Sequence, residues 1–255
     1  MRWKLFKRNR VLLPLTCGLV AAIMPDLDHG AVAAAQASGR GTIKGHVRLI
    51  GKLPGNPVLR MRGDPMCARL NQGKQVVQET VAAALDGSLA NVFVKLEGSF
   101  PDAPAAAQPV TIDQRGCIYT PRVVGVRVGQ VLQVKNSDSL LHNVHSLSGR
   151  ANGFNIGQPM AGMVNQFRLK DEETMLRLSC DIHTWMRAYI GVVSHPYFAV
   201  TGSAGTFEIA NVPAGSQTLQ VWQEAYGQRK QTVIVKPGAT TTVELSFSTT
   251  DKPPA

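Results

Sequence analysis

The stretch that most limits what this chain can become is Cys180-Asp181-Ile182-His183-Thr184-Trp185-Met186, in which Cys, His and Met recur at every third residue. A short loop with that spacing wraps a thiolate, an imidazole and a thioether around one point. A second imidazole stands upstream in Asn136-Ser137-Asp138-Ser139-Leu140-Leu141-His142-Asn143-Val144-His145, where His142 on a neighbouring strand closes the set. A thiolate, two imidazoles and a weak axial sulfur form the donor set of a trigonal copper site. The soft thiolate suits Cu(I), and imidazole suits both oxidation states. A weak axial Met lets the ion change state with little rearrangement. His145 falls on the other face of the strand from His142. It reads as a structural, hydrogen-bonded residue and not as a ligand.

The segment "HNVH" at 142–145 followed by "CDIHTWMRAYIGVV" at 180–193 resembles the cupredoxin family, and within it the amicyanins. These share the short Cys-x-x-His-x-x-Met loop and an upstream His-Asn-Val-His. The likeness runs back through Val110-Thr111-Ile112 and "VVGVRVGQVLQVKNSD" at 123–138, so it covers about residues 108–195. It implies one type 1 (blue) copper held by His142, Cys180, His183 and Met186. It further implies that Asn143 ties the two ligand segments together and that electrons leave by the solvent-facing edge of His183. The implied function is the carriage of single electrons between periplasmic redox partners, the partner being a dehydrogenase or a c-type cytochrome. In one respect the chain departs from the pattern. Many cupredoxins have Pro before the second His, whereas this chain has Ile182, whose amide is expected to donate to the Cys180 thiolate; proline has no such N–H.

Residues 1–10 hold five basic residues and no acid, 11–24 are mostly apolar, and small residues follow, including Ala35-Gln36-Ala37. This is the layout of a secretory signal peptide over residues 1–37. The apolar run is short for a membrane span, and no later stretch is long and apolar enough. A soluble protein exported to the periplasm or beyond is expected, without a membrane span after cleavage. The net charge of +10 is partly the leader's. Setting aside its five basic residues and Asp26 and Asp28 leaves 22 basic against 15 acidic residues. The basic residues are scattered without aromatic interleaving, so no nucleic-acid footprint is present.

With Cys17 inside the leader and Cys180 assigned to copper, Cys67 and Cys117 remain. Two spare thiols in an oxidising compartment are expected to pair as a disulfide. The alternative is a second Cu(I) site built from Met61, Met66 and Cys67.

Beyond the leader, short alternating β-rich runs fall at 42–49, 89–96, 110–112, 123–128, 131–135, 166–169, 175–179, 189–193, 206–209, 217–222, 231–235 and 240–247. Glycine, proline and Asp-Gly turns separate them. Residues 51–73 read as a loop with one helical turn near 66–70. Residues 76–85 are ambiguous, and 100–109 read as a linker. The fold class is all-β, a Greek-key cupredoxin-type sandwich plus a second sandwich. The runs "GSAGTFEIANVPAGSQTLQVWQEAYG" and "VIVKPGATTTVELSF" resemble the carboxypeptidase regulatory-like, transthyretin-like β-sandwich. That family's modules are structural or adhesive. Here Glu208, Glu224 and Glu244 are isolated in sequence and form no catalytic set, and the chain is not expected to be an enzyme. The module from 196 to 248 offers only four clear strands, too few for a sandwich. The expected organisation is therefore a host sandwich of 41–100 plus 196–248, split by a copper domain at 108–195, with a disordered tail at 249–255. Two domains in series is the alternative. Besides electron transfer, copper handling and an adhesive or carbohydrate-binding sandwich with a degenerate site remain open.

Overall fold

The computed structural model describes residues 39–101 and 103–251. The expected leader and residues 252–255 lie outside that range. Almost all the regular structure is β. In chain order it comprises β1 (Arg40–Ile50), the helix α1 (Pro65–Leu70), β2 (Phe93–Glu97), β3 (Val110–Gln114), β4 (Tyr119–Thr120), β5 (Val123–Arg127), β6 (Val131–Asn136), β7 (His142–Leu147) and β8 (Phe154–Gln158). There follow β9 (Val164–Arg168), β10 (Glu173–Ser179), β11 (Arg187–Val193), β12 (Phe198–Val200), β13 (Thr206–Pro213), β14 (Gly215–Gln223), β15 (Gly227–Val235) and β16 (Thr240–Ser248).

These strands form four sheets, ordered β13-β1-β16, β12-β2-β14-β15, β5-β11-β10-β7-β8 and β4-β3-β6-β9. In β1 every second residue is buried, the period of a strand with one face on a core. It runs antiparallel to β13 and parallel to β16, with Ile43 opposite both Ile209 and Thr241. Its inward residues Ile43 and Val47 join Leu96, Leu219, Val235 and Phe247 in one apolar core. That core draws on residues 43–96 and 197–247. A second core joins Ile112, Leu132, Leu178, Met186 and Ile190, and it includes Cys180.

β11 is buried on both faces, which gives it a continuous apolar run instead of an alternating one. Ala188, Ile190 and Val192 point into the second core. Gly191 and Val193 face the other way, against β2. There a third cluster of Phe93, Val123 and Val193, with Phe198 and Trp222, joins the β12-β2-β14 sheet to β5 and β11. Phe93, 1% exposed, contributes about 1.5–3 kcal/mol by burial. Arg122 donates through Nε and Nη2 to both carboxylate oxygens of Glu224 (2.7 and 2.8 Å), and Tyr189 Oη donates to the same group at 3.0 Å.

The segment 51–92 departs from expectation in two places. The loop 51–73 carries the helical turn, as α1, but its Met61 and Cys67 pack into the second core and not into the first. The Asp86-Gly87 turn forms, and a single bridge joins Ala83 to Leu89, but the strand begins only at Phe93. Asn91 adopts φ 59°, and the amides of Asn91 and Val92 bond the carbonyl and hydroxyl of Thr201, so the chain leaves the ladder there. At the other end, Thr249 and Asp251 are tied down where a disordered tail was expected. Thr249 N–H donates to the Ile50 carbonyl at 3.0 Å, and Asp251 pairs with Arg229.

Candidate metal centre

His142 opens β7, and Cys180 follows the last residue of β10, its neighbour in the sheet. The chain then turns tightly. Met186 N–H donates to the His183 carbonyl (2.8 Å) and Cys180 N–H to the Met186 carbonyl (3.4 Å), which closes the loop between β10 and β11. His142, Cys180, His183 and Met186 are all buried, at 0–1% exposure. A donor atom from each of His142, Cys180 and His183 lies within 4.8 Å of the others. The two Nδ1 atoms are 3.1 Å apart, and His183 Nδ1 is 3.7 Å from Cys180 Sγ.

The outer nitrogens decide what this cluster is built for. His142 Nε2 is 2.9 Å from Asp138 Oδ2, and His183 Nε2 is 3.0 Å from Asp64 Oδ2. An ionised carboxylate only accepts, so both Nε2 atoms carry a proton. In neutral imidazoles both Nδ1 atoms are then bare lone pairs, facing one another beside a sulfur. That arrangement is repulsive unless a cation or a shared proton lies between them. An ion about 2 Å from each nitrogen reaches both. The donor set therefore fits a thiophilic metal ion such as copper.

The sulfur is prepared for ionisation. Burial raises the Cys180 pKa, but a hydrogen bond from His142, which the ring can donate only when doubly protonated, and the amides of His183, Asn143 and Ile182 outweigh it and bring the thiol from 9.0 down to about 7. The His183 and Asn143 amides each lie 3.4 Å from Sγ. Burial likewise works against charge on His142, yet its bonds to Asp138 and Cys180 raise its pKa. Asp64 is held below the ordinary carboxylate value chiefly by His183. Asp138 is lowered as well, against its burial, by His142 and the amides of Cys117 and Gly116. Burial pushes Tyr119 up. Its hydroxyl donates to the Asn143 and Ser179 carbonyls, one on each ligand segment.

Asn143 joins those segments too. Its Oδ1 accepts from Asp181 N–H at 3.0 Å, while its own amide reaches Cys180 Sγ. His145 projects away from the cluster and pairs with Asp181 at 2.9 Å. Cys67 and Cys117 form a disulfide. The exit expected at a solvent-facing edge of His183 is not there. His183 is 1% exposed, because α1 and its N-cap Asp64 sit over its outer nitrogen. Asp64 and Asp138 escaped the reading of the sequence. The signal available for Asp64 was Asp-Pro at a helix start; for Asp138 it was an acid four residues before a candidate ligand His. The three glutamates remain separate: Glu224 holds Arg122, Glu208 pairs with Lys44, and Glu244 lies 3.6 Å from His46.

No protein-family model matches the chain, and no curated protein matches it. Among solved structures it is similar to a purple cupredoxin from Nitrosopumilus maritimus, at 22% identity over 32% of this chain and 97% of the other, with a TM-score of 0.27. It is similar to an amicyanin variant with Cu(I), at 19% identity over 39% of this chain and 97% of the other, TM-score 0.30. A third likeness is to the copper-containing nitrite reductase from Thermus scotoductus SA-01, at 18% identity over 36% of this chain and 25% of the other, TM-score 0.29.

Proposed function

We propose that this is an exported copper protein that carries single electrons between redox partners through one Cys-centred site. The observation that carries the reading is the pair of imidazoles whose inner nitrogens, 3.1 Å apart, face each other beside the Cys180 sulfur while carboxylates hold the outer ones. The ligands proposed are His142, Cys180 and His183, with Met186 as the weak fourth. Bound copper would supply a one-electron couple. The protein's part is to keep the donors fixed and water away, so that little moves when charge changes. The amides on Cys180 Sγ moderate its donation and so tune the potential. Trp185 is half-buried, with its ring 5.2 Å from that of His183, and Asp181, Ile182 and Thr184 are exposed around it. This is the proposed approach for a partner such as a dehydrogenase or a c-type cytochrome.

The test is the visible spectrum of the Cu(II)-loaded protein. An intense blue thiolate-to-copper band is expected, and Cys180→Ser should abolish it even where copper still binds. A weak band in the wild type, or a full band in Cys180→Ser, overturns the reading. A second reading, copper carriage or storage, is favoured by the closure of the site over His183. It predicts tight Cu(I) retention with slow electron exchange.

The proposal extends to architecture and location. Residues 41–100 and 196–248 are taken as one split sandwich of the regulatory-like kind, interrupted by the copper module at 108–195. The pairing of β1 with both β13 and β16, and of β2 with β12 and β14, supports this. Export rests on the leader-like residues 1–37. No helix among the described residues is long and apolar enough to cross a membrane.

A further inference from the structure

The disulfide and the two imidazoles belong to one construction. Asp64 caps α1, its Oδ1 accepting the Met66 and Cys67 amides at 2.8 and 3.1 Å, while its Oδ2 faces His183 Nε2. Asp138 accepts the Gly116 amide through Oδ1 and the Cys117 amide through Oδ2, at 2.7 and 2.8 Å, and that Oδ2 also faces His142 Nε2. Gly116 and Cys117 both take positive φ, 64° and 59°, in the turn whose N–H groups meet Asp138. Each half-cystine thus gives its backbone N–H to a carboxylate that holds one of the two histidines. The sulfurs lie as close: Cys67 Sγ, an Asp64 oxygen and a His183 nitrogen are within 4.8 Å of one another, as are Cys117 Sγ, an Asp138 oxygen and a His142 nitrogen. Asn71 Nδ2 bridges the Cys67 and Gly116 carbonyls at 2.9 Å each, and Trp185 Nε1 donates to the Cys117 carbonyl at 2.9 Å.

We infer that Asp64 and Asp138 are positioning residues for the metal centre, a pair of carboxylates clamped to each other by the Cys67–Cys117 bridge that fixes both imidazoles with Nδ1 free for the ion. The inference rests on the proposed copper site and adds the means by which the ligands are held. Asp64 has the larger reach. It comes from a segment 119 residues away in sequence from His183 and lies against the outer nitrogen of that buried ring. The design also makes α1 part of the centre although α1 contributes no ligand.

The test uses Asp64→Asn in the full exported protein. Asn caps a helix as well as Asp does, so its Oδ1 keeps the Met66 and Cys67 amides. Its Nδ2 then replaces the oxygen facing His183. A donor there demands an acceptor, so the His183 proton moves from Nε2 to Nδ1, where it blocks the metal. Two readouts follow. In the metal-free protein, nitrogen-15 correlation spectra of the neutral rings should show His183 protonated at Nε2 in the wild type and at Nδ1 in the variant. Cu(I) affinity, measured by competition with bicinchoninate, should fall about 10- to 100-fold, with the thermal midpoint of the metal-free protein unchanged. Should Asp64→Asn fail to fold, Asp64→Ser answers the question, because Ser also caps but is too short to reach His183; the same direction of loss is expected. Wild-type affinity in a folded variant, or a wild-type His183 protonated at Nδ1, overturns the inference. The tautomer readout needs no copper, so a wild type that fails to bind copper defeats the functional reading without being mistaken for failure of the clamp.

Discussion

Cys180 is where the site's chemistry meets pH. Its folded-state pKa of about 7 lies below the ordinary 9.0 because the imidazole and three amides favour the thiolate more than burial opposes it. In the metal-free protein this linkage contributes stability that is fully present above pH 9 and lost as pH falls through about 7. Thiolate absorbance of the metal-free protein should therefore titrate near 7, and copper affinity should weaken below it as protons compete for the sulfur. A midpoint near 9 would contradict the hydrogen-bond network drawn around Sγ. Met186 gives a separate expectation. Met186→Leu nearly conserves volume, so its stability cost should stay below about 1.5 kcal/mol. It would remove the proposed axial donor, which favours Cu(II), so the reduction potential should rise while the blue band persists; cyclic voltammetry checks the direction. The proposed ligands were legible in the sequence because three of them sit in one seven-residue loop. Asp64 was not, because its relation to His183 exists only after α1 has been laid across the loop.

At the scale of elements, the join between the sheets depends on two glycines that face each other on β5 and β11. A methyl group on Gly191 would lie 2.2 Å from Phe93 Cζ, and one on Gly125 would lie 2.2 Å from Phe198 Cε2. Neither glycine needs a positive φ; what each needs is the absence of a side chain where an aromatic ring of the facing sheet enters. Gly191→Ala should destabilise by about 1–3 kcal/mol or more, read as a lowered denaturation midpoint. The same variant with Phe93→Leu should recover part of the loss. Additive losses would show that the ring and the glycine do not compete for one space. Most strands were readable from period-two alternation, as in β1. The stretch 89–92 has β-forming residues but does not extend the strand, because Thr201 takes the amides of Asn91 and Val92 and Asn91 turns the chain. The partner of α1 was unreadable for a related reason: Cys67 packs where its disulfide and Met61 carry it, not where neighbouring sequence leads.

The whole molecule turns on how its chain crosses between cores. The buried residues of the first core come from 43–96 and 197–247, with Phe100 packed against them. Where the chain departs and returns, Phe100 and Tyr197 meet edge to face at 4.9 Å, and Leu96 N–H bonds the Tyr197 carbonyl at 3.0 Å. The ends of the proposed insertion are thus adjacent, the condition under which a domain can be inserted at a loop or removed from it. A chain lacking 104–194, closed by a short Gly/Ser linker, should keep the β1 pairings and unfold cooperatively. It should do so at a lower midpoint than the full protein. Phe93, Phe198 and Trp222 would lose the face they rest on, and the loop carrying Met61 and Cys67 would lose its core. Exchange-protected amides in β1, β14 and β16 are the measurement. Their protection in the shortened chain is the expected result. If β1 exchanges freely while the full protein protects it, the outer strands depend on the central module, and two halves of one sandwich is the wrong description.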